Sequence, residues 1–305
     1  MGYALSPLPL MYVPQLTADG SFTFFSSEFG EAFHSHYGAR QEAQLKFVEP
    51  TQLRQKAQQP TLRLLDVCYG LGYNTAAALT TIWAVNPNCY VEVVALEFNP
   101  SVPQAAIAHH LLNSWPQHIP QILTQLATEY KVQTDRFKAS LVIGDARAKI
   151  QLVQASGFQA DAVFLDPFSP PNCPQLWTVE FLEQVAKCLY PDGRLATYSC
   201  AAAVRTALIA VGLKIGSTPP VGRRSSSTVA SWVATELPVL SQQEQEHLLT
   251  RAAIPYRDPL RSDSTDVILH RRQQEQNVSS LEPTSHWIKR TRGVVRSQKS
   301  GSYGF

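Results

Sequence analysis

Four carboxylates carry the first sign of chemistry: Asp66, Glu97, Asp145 and Asp166 each stand at or just past the end of an apolar run. A carboxylate in such a place can accept hydrogen bonds from hydroxyls, amides or amines, pair with a cation, or take up a proton. One acid at a strand end means little, because Asp readily caps a following helix. Four on successive runs call for a common explanation.

The runs are LRLLDV (62–67), VEVVALEF (91–98), ASLVIGDA (139–146) and DAVFLD (161–166). Helical pieces alternate with them: TAAALTTIWA, a stretch from about Pro103 to Tyr130 broken at Trp115-Pro116 and Ile119-Pro120, and AAAVRTALIAVG. In QLWTVEFLEQVAKCLY (175–190), Leu176, Val179, Leu182, Val185, Ala186 and Leu189 recur at helical spacing. PDGRLATYS, LKIGST and TVASWVAT read as further strands. Apolar strands separated by helices predict a parallel sheet covered on both faces. Right-handed crossovers then leave one ligand-binding edge, outside the carboxyl ends of the strands, where all four acids fall.

The flanks differ in texture. Residues 1–55 are aromatic and rich in turn formers, with β-prone pieces at Phe22 to Phe25 and Leu45 to Val48. Residues 236–305 are polar, with a helix expected around Gln242 to Ala252 and a second piece near Val267 to Gln276. From Pro283 to Phe305 there are five Lys or Arg and no Asp or Glu. The expected organisation is an N-terminal β-rich extension (1–55), an α/β domain (56–235) and a basic, partly flexible C-terminal extension (236–305).

The turn after Asp66 reads V-C-Y-G-L-G-Y-N, in which Gly70 and Gly72 let the backbone turn tightly and approach a ligand. Thr75 takes the place of the third glycine of GxGxxG, which weakens a dinucleotide reading. An acid ahead of such a turn is typical of S-adenosylmethionine (SAM) sites, although a plain strand–turn–helix junction has the same look. Glu97 is placed to accept hydrogen bonds from ribose hydroxyls, a device that NAD sites share. In Gly144-Asp145-Ala146 the acid and a backbone amide suit the adenine edge of SAM; a helix cap would also use them.

DPFSPPNCPQLW (166–177) is the most specific segment. Pro167 biases Asp166 away from helix, Phe168 stands on the rim, and further prolines stiffen the loop. The loop resembles the D/N-P-P-Y/F loop of amino-group methyltransferases, which binds the nucleophilic nitrogen. Methyl transfer from a sulfonium is an in-line displacement, so positioning an amine lone pair is the main task. Asp166 could bind the amine and take its proton; alternatively it only caps the 175–190 helix.

With these motifs the chain resembles the MnmC-like family of tRNA wobble-uridine methyltransferases, in its stand-alone form without an FAD oxidase half. The matching segments include TADGSFTFFSSEFGEAFHSHYGARQEAQLKFVE (17–49), DVCYGLGYNT, ALEFNP, GDAR, DAVFLDPFSPPNCPQLWT, PDGRLATYSCAAAVRTAL and GRRSSSTVAS, in family order over residues 12–235. The resemblance implies a Rossmann-like SAM-dependent methyltransferase that converts 5-aminomethyl-(2-thio)uridine in tRNA to its 5-methylaminomethyl form. It implies that Asp66, Gly70, Gly72 and Asn74 hold the methionine side of SAM, Glu97 the ribose, and Asp145 with Ala146 the adenine. It assigns Asp166 to catalysis, and Pro167, Phe168, Arg223 and Arg224 to the substrate. Tyr69 stands where family loops usually have Phe, and VGRRSSS replaces a GFGRKR-like segment.

A net charge of +2 says little on its own, and a tRNA partner would need local basic surface. Candidates are Arg223-Arg224, Arg271-Arg272 and the tail residues Lys289, Arg290, Arg292, Arg296 and Lys299. The five cysteines form no CxxC pair, and His34-Ser35-His36 lacks a partner pattern, so no metal is expected. The N-terminus is a poor signal peptide and no apolar run reaches bilayer length, which predicts a cytoplasmic protein without membrane contact. Two rival readings are a polyamine aminopropyltransferase-like enzyme and a non-catalytic RNA-binding module.

Overall fold

The computed structural model describes residues 12–222 and 225–291. Short paired strands β1 (Gln15–Leu16), β2 (Phe22–Thr23), β3 (Phe25–Ser26) and β4 (Glu31–Ala32) open the chain, followed by helices α1 (Ala39–Glu42) and α2 (Leu53–Lys56). The alternating part comprises β5 (Thr61–Val67), α3 (Tyr73–Val85), β6 (Tyr90–Glu97), α4 (Ser101–Ala108), α5 (His118–Glu129), β7 (Lys131–Gln133), β8 (Phe137–Ile143), α6 (Ala146–Ala155) and β9 (Ala160–Leu165). It continues with α7 (Val179–Lys187), β10 (Leu189–Thr197), α8 (Ala202–Ala210), β11 (Lys214–Thr218) and β12 (Ser227–Ser231), and then α9 (Gln242–His247) and α10 (Thr265–Val278).

Eight strands form one sheet in the order β11-β12-β10-β9-β5-β6-β8-β7. Its central members, β10, β9, β5, β6 and β8, are parallel, as the apolar runs predict. The two margins depart from that prediction. β12 runs antiparallel to β10 and β11, and β7 antiparallel to β8. Among the described residues the β7–β8 and β11–β12 connections hold no helix, and a chain that returns without a crossover must pair antiparallel. The strand order reverses between β5 and β9, the switch point where a crevice opens outside the strand ends.

Alternation along the strands splits the core. Leu62 and Leu64 of β5 face one side with α3, Leu123 and Leu126; Leu65 and Val67 face the other with Phe181, Val185 and Leu208. The N-terminal segment covers the first face through Phe24, Phe47 and Leu53, and the C-terminal one the second through Tyr256 and Ile268. Burying a side chain of this size contributes about 1.5–3 kcal/mol.

Three local expectations are corrected. The β-prone piece at 45–48 lies in a π-helical turn, Ala43–Val48, that continues α1; burial of Phe47 and Val48 overrides their strand propensity. Of the two breaks expected in the 103–130 stretch, the one at Trp115-Pro116 falls between α4 and α5, but α5 runs through Ile119-Pro120, because proline is tolerated in a helix's first turn. The 242–252 helix stops at His247, and residues 251–253 make a 3-10 turn. No helix among the described residues is long and apolar enough to cross a membrane.

Candidate active site

A cavity of about 730 Å³ lies at the switch point, and Gly70, Glu97, Asp166, Pro167 and Phe168 line it together. This is within the range of roughly 300–1,000 Å³ typical of small-molecule sites.

The β5 turn is shaped by left-handed backbone at Cys68, Gly70 and Gly72, with φ of 68°, 56° and 84°. A Cβ on Gly72 would come 2.6 Å from Tyr69 Oη, so glycine there lets the Tyr69 ring tuck beneath the turn. Glu97 braces the loop from the next strand: Oε2 accepts from the Gly70 amide at 2.8 Å and Oε1 from the Asn99 amide at 2.9 Å. Burial pushes the Glu97 carboxyl upward, against these hydrogen bonds. Each of its oxygens keeps a second lone pair for a ligand hydroxyl. Beside it the Phe98 ring is 64% exposed on the cavity wall, a flat apolar surface that sequence reasoning did not single out.

Asp66 lies fully buried under the turn and does not line the cavity. Its Oδ2 accepts from Thr75 Oγ1 at 2.7 Å, while Oδ1 has no protein partner. Burial drives the carboxyl up to about 7, with Thr75 opposing and Glu97 adding repulsion. With no exposed surface, Asp66 supports the turn from beneath. The open backbone of the Gly70 turn and the Glu97 lone pairs fit a ligand with ribose hydroxyls, as SAM has.

Asn74, predicted as part of the cofactor loop, reaches the opposite side. Its Nδ2 donates to Asp166 Oδ2 at 2.9 Å, tying the β5 loop to the β9 loop. Asp145 is the N-cap of α6, with Oδ1 accepting from the Arg147 amide, and it pairs with the Arg147 guanidinium at 2.8 Å. Neither Asp145 nor Ala146 lines the cavity.

The acceptor loop is held at successive residues. The Asp166 amide donates to Val67 O, Tyr198 Oη to Pro167 O at 2.9 Å, and Trp177 Nε1 to Phe168 O at 2.8 Å. Glu31 of β4 accepts from the Ser169 amide and hydroxyl and from Asn172 Nδ2. Loss of solvation raises the Asp166 carboxyl well above the ordinary range, despite the Asn74 hydrogen bond. A carboxylate so raised binds a proton more tightly than an ordinary aspartate, as a base for an amine requires.

Among the described residues five carboxylates line the cavity (Glu28, Glu31, Glu42, Glu97 and Asp166) with one ammonium, Lys46. Most are engaged internally. Glu42 accepts from Lys46 Nζ at 2.5 Å and from the amide and hydroxyl of Ser35. Glu31 and Glu97 hold loops, as above. Among the described residues only Glu42 of these has a cationic partner, and hydrogen bonds from neutral amides and hydroxyls leave the charge of Glu31 and Glu97 in place, so this wall of the cavity is acidic and suits a cationic ligand. His34 packs edge-on to Tyr73 and shares a hydrogen bond with Thr23 Oγ1; burial lowers it to about 4, so it is neutral at pH 7. Among the described residues no group of three or more metal-ligating side chains occurs.

The predicted basic clusters fare differently. Arg271 donates to Arg257 O and Asp263, and Arg272 to Ile254 O and Ala252 O while lying over the Tyr256 ring. Both fasten the C-terminal segment, which corrects their reading as an RNA surface. Arg290 pairs with Glu246 and Glu282. Arg223, Arg224 and residues 292–305 lie outside the described residues.

Glu31, Phe29, Phe33, Glu42 and Tyr198 were missed because each meets the site across a long chain separation. The one local signal was the i,i+4 spacing of Glu42 and Lys46, masked by the β-prone reading of that piece.

A family profile described as S-adenosyl-L-methionine-dependent methyltransferase matches residues 103–232. MnmC2 from Aquifex aeolicus superposes with a TM-score of 0.77 at 33% identity, covering 89% of this chain and 87% of that one. An uncharacterized protein of Methanocaldococcus jannaschii is 30% identical over 267 residues, 85% of this chain and 70% of the relative. The tRNA 5-methylaminomethyl-2-thiouridine biosynthesis bifunctional protein MnmC of an Acidovorax species is 29% identical over 223 residues, 69% of this chain. The chain spans 34% of that bifunctional protein's length.

Proposed function

The chain belongs to the family of MnmC-type SAM-dependent methyltransferases, and from that premise we propose that it methylates the exocyclic amine of 5-aminomethyl-(2-thio)uridine at the tRNA wobble position. The observation that carries this reading is Asp166, oriented by Asn74 and set beside Phe168 in the cavity that Gly70 and Glu97 share.

SAM, when bound, supplies an electrophilic methyl carbon on a cationic sulfur. In this reading the Gly70–Gly72 turn over buried Asp66 would hold its methionine side and Glu97 its ribose, while Asn74 serves Asp166, and Asp145 and Ala146 stay at the start of α6 outside the cavity. Asp166 accepts a hydrogen bond from the substrate amine and receives the proton that the ammonium form must lose before its lone pair can attack. Asn74 fixes the carboxylate so that the amine meets it at one angle, and the stiff Pro167–Phe168 turn limits its drift. Phe168 gives the splayed-out base an aromatic surface.

RNA must also be held by phosphate contacts. Gly222 sits against Tyr37, where a Cβ would come 2.7 Å from the Tyr37 Cβ, and Tyr37 lines the cavity. Arg223 and Arg224, which follow Gly222 in the chain, are the residues we assign to the RNA. We read residues 56–235 as the catalytic unit and the flanking segments as additions to it.

Incubation with methyl-labelled SAM and tRNA from cells lacking this methyl group tests the reading. Label in the wobble nucleoside is expected. No label in tRNA, with aminopropyl transfer to putrescine from decarboxylated SAM, would sink it in favour of the polyamine rival.

A further inference from the structure

The acceptor loop is roofed by the N-terminal hairpin. Phe29, in the turn between β3 and β4, stacks on Phe168 with ring centroids 4.4 Å apart and planes 18° from parallel. Phe33 meets the Phe168 ring edge-on, at 4.9 Å and 66°. All three line the same cavity as Asp166. A planar base held between two rings needs about 7 Å, twice the contact distance of roughly 3.5 Å between carbon atoms. Phe29 therefore fills the space on one face of Phe168 that a stacked base would take.

The surroundings allow that ring to move while its backbone stays. β3 and β4 are two residues long, Ser27, Glu28 and Gly30 of the turn are exposed, and Phe29 itself is half-buried. The backbone is anchored: Asn172 Nδ2 donates to Phe29 O at 3.0 Å and to Glu31 Oε1 at 2.6 Å, and the Ser169 amide donates to Glu31 Oε2 at 3.0 Å. Side-chain torsion is thus the freedom left to Phe29. In the closed form its ring also keeps the Phe168 surface from water.

We propose that Phe29 is a substrate-positioning residue: the acceptor base enters between Phe29 and Phe168, with Phe33 closing one edge. The N-terminal extension thereby supplies one wall of the acceptor slot. This rests on the reading of the acceptor as an RNA base. Stacked there, the base presents its aminomethyl arm to Asp166, the residue two positions before Phe168.

Steady-state kinetics of Phe29→Ala and Phe29→Trp on the full chain, with hypomodified tRNA, tests the slot, alongside calorimetric SAM affinity. Removing one aromatic stack should raise KM for tRNA by about fivefold to about 150-fold. SAM affinity should stay at the wild-type value, and Trp should restore KM. An unchanged KM in Phe29→Ala overturns the proposal, as does an equal loss of SAM affinity, which would place Phe29 on the cofactor wall. Wild-type protein that transfers no methyl to tRNA removes the acceptor reading and the slot together; active wild type with an indifferent Phe29→Ala removes the slot alone.

Discussion

The two extensions cover opposite faces of one sheet and are built on opposite terms. The N-terminal segment sends Phe29, Glu31, Phe33, Glu42 and Lys46 into the cavity wall. The C-terminal segment turns its charges toward the protein: Asp258, fully buried, receives Arg147 at 2.9 Å, and Glu244 receives buried Arg205 at 2.9 Å. Arg271 and Arg272 likewise donate to their own segment. The contrast teaches that basic residues in a polar segment can serve the fold rather than a ligand. A guanidinium with buried carboxylate or carbonyl partners is structural, because leaving those partners unpaired costs more than a surface phosphate contact returns.

Substitutions on the cavity side should therefore change catalysis, and those on the C-terminal side stability. The sharpest case is Asp166→Ala, expected to lower kcat by about 10²–10⁴, the usual worth of a positioned base. SAM affinity by calorimetry should survive, and full activity would refute the assigned role. Next comes Asp258→Ala, which removes one of two carboxylates on Arg147 and the acceptor of the Ser262 and Asp263 amides. Loss of hydrogen bonds to a charged group costs about 1.5–3 kcal/mol each, measured as a fall in denaturation midpoint. The kcat of the fraction still folded should match wild type; a selective loss of kcat would erase the contrast.

A smaller effect is expected of Asn74→Ala, which removes the hydrogen bond that orients Asp166. kcat should fall by about tenfold to about a hundredfold, the worth of a hydrogen bond to a charged group. Loss of SAM affinity alone would return Asn74 to the cofactor loop.

The mildest test concerns acid stability. Burial opposes ionisation of Glu244, but the hydroxyls of Ser217 and Ser226 and the amide of Ser241 outweigh it and hold the carboxyl at about 2, below its ordinary 4.5. A carboxylate depressed by folding stabilises above 4.5, and that contribution fades as pH falls from 4.5 toward about 2. Melting temperature should drop across this window, and Glu244→Gln should be less stable at neutral pH with a shallower acid decline. A parallel decline in both proteins would remove Glu244 as its source.

The sequence by itself determined the central strands, the helices that follow them and the placing of Asp66, Glu97 and Asp166 at one edge. Those features are local: apolar runs, helical spacing and a Gly70–Gly72 turn act over a few residues, and the topology rules of parallel sheets then fix the edge. Short-range pattern did less well where burial competed with propensity, as in the π-helical turn at 43–48. Tertiary structure alone decided that Asn74 serves Asp166, that Asp145 is a helix cap joined to Arg147, and that Phe29 lies on Phe168. Glu31 and Ser169 are 138 positions apart. Contacts over such distances arise from the closing of the whole chain around the sheet, and no local preference of either residue encodes them.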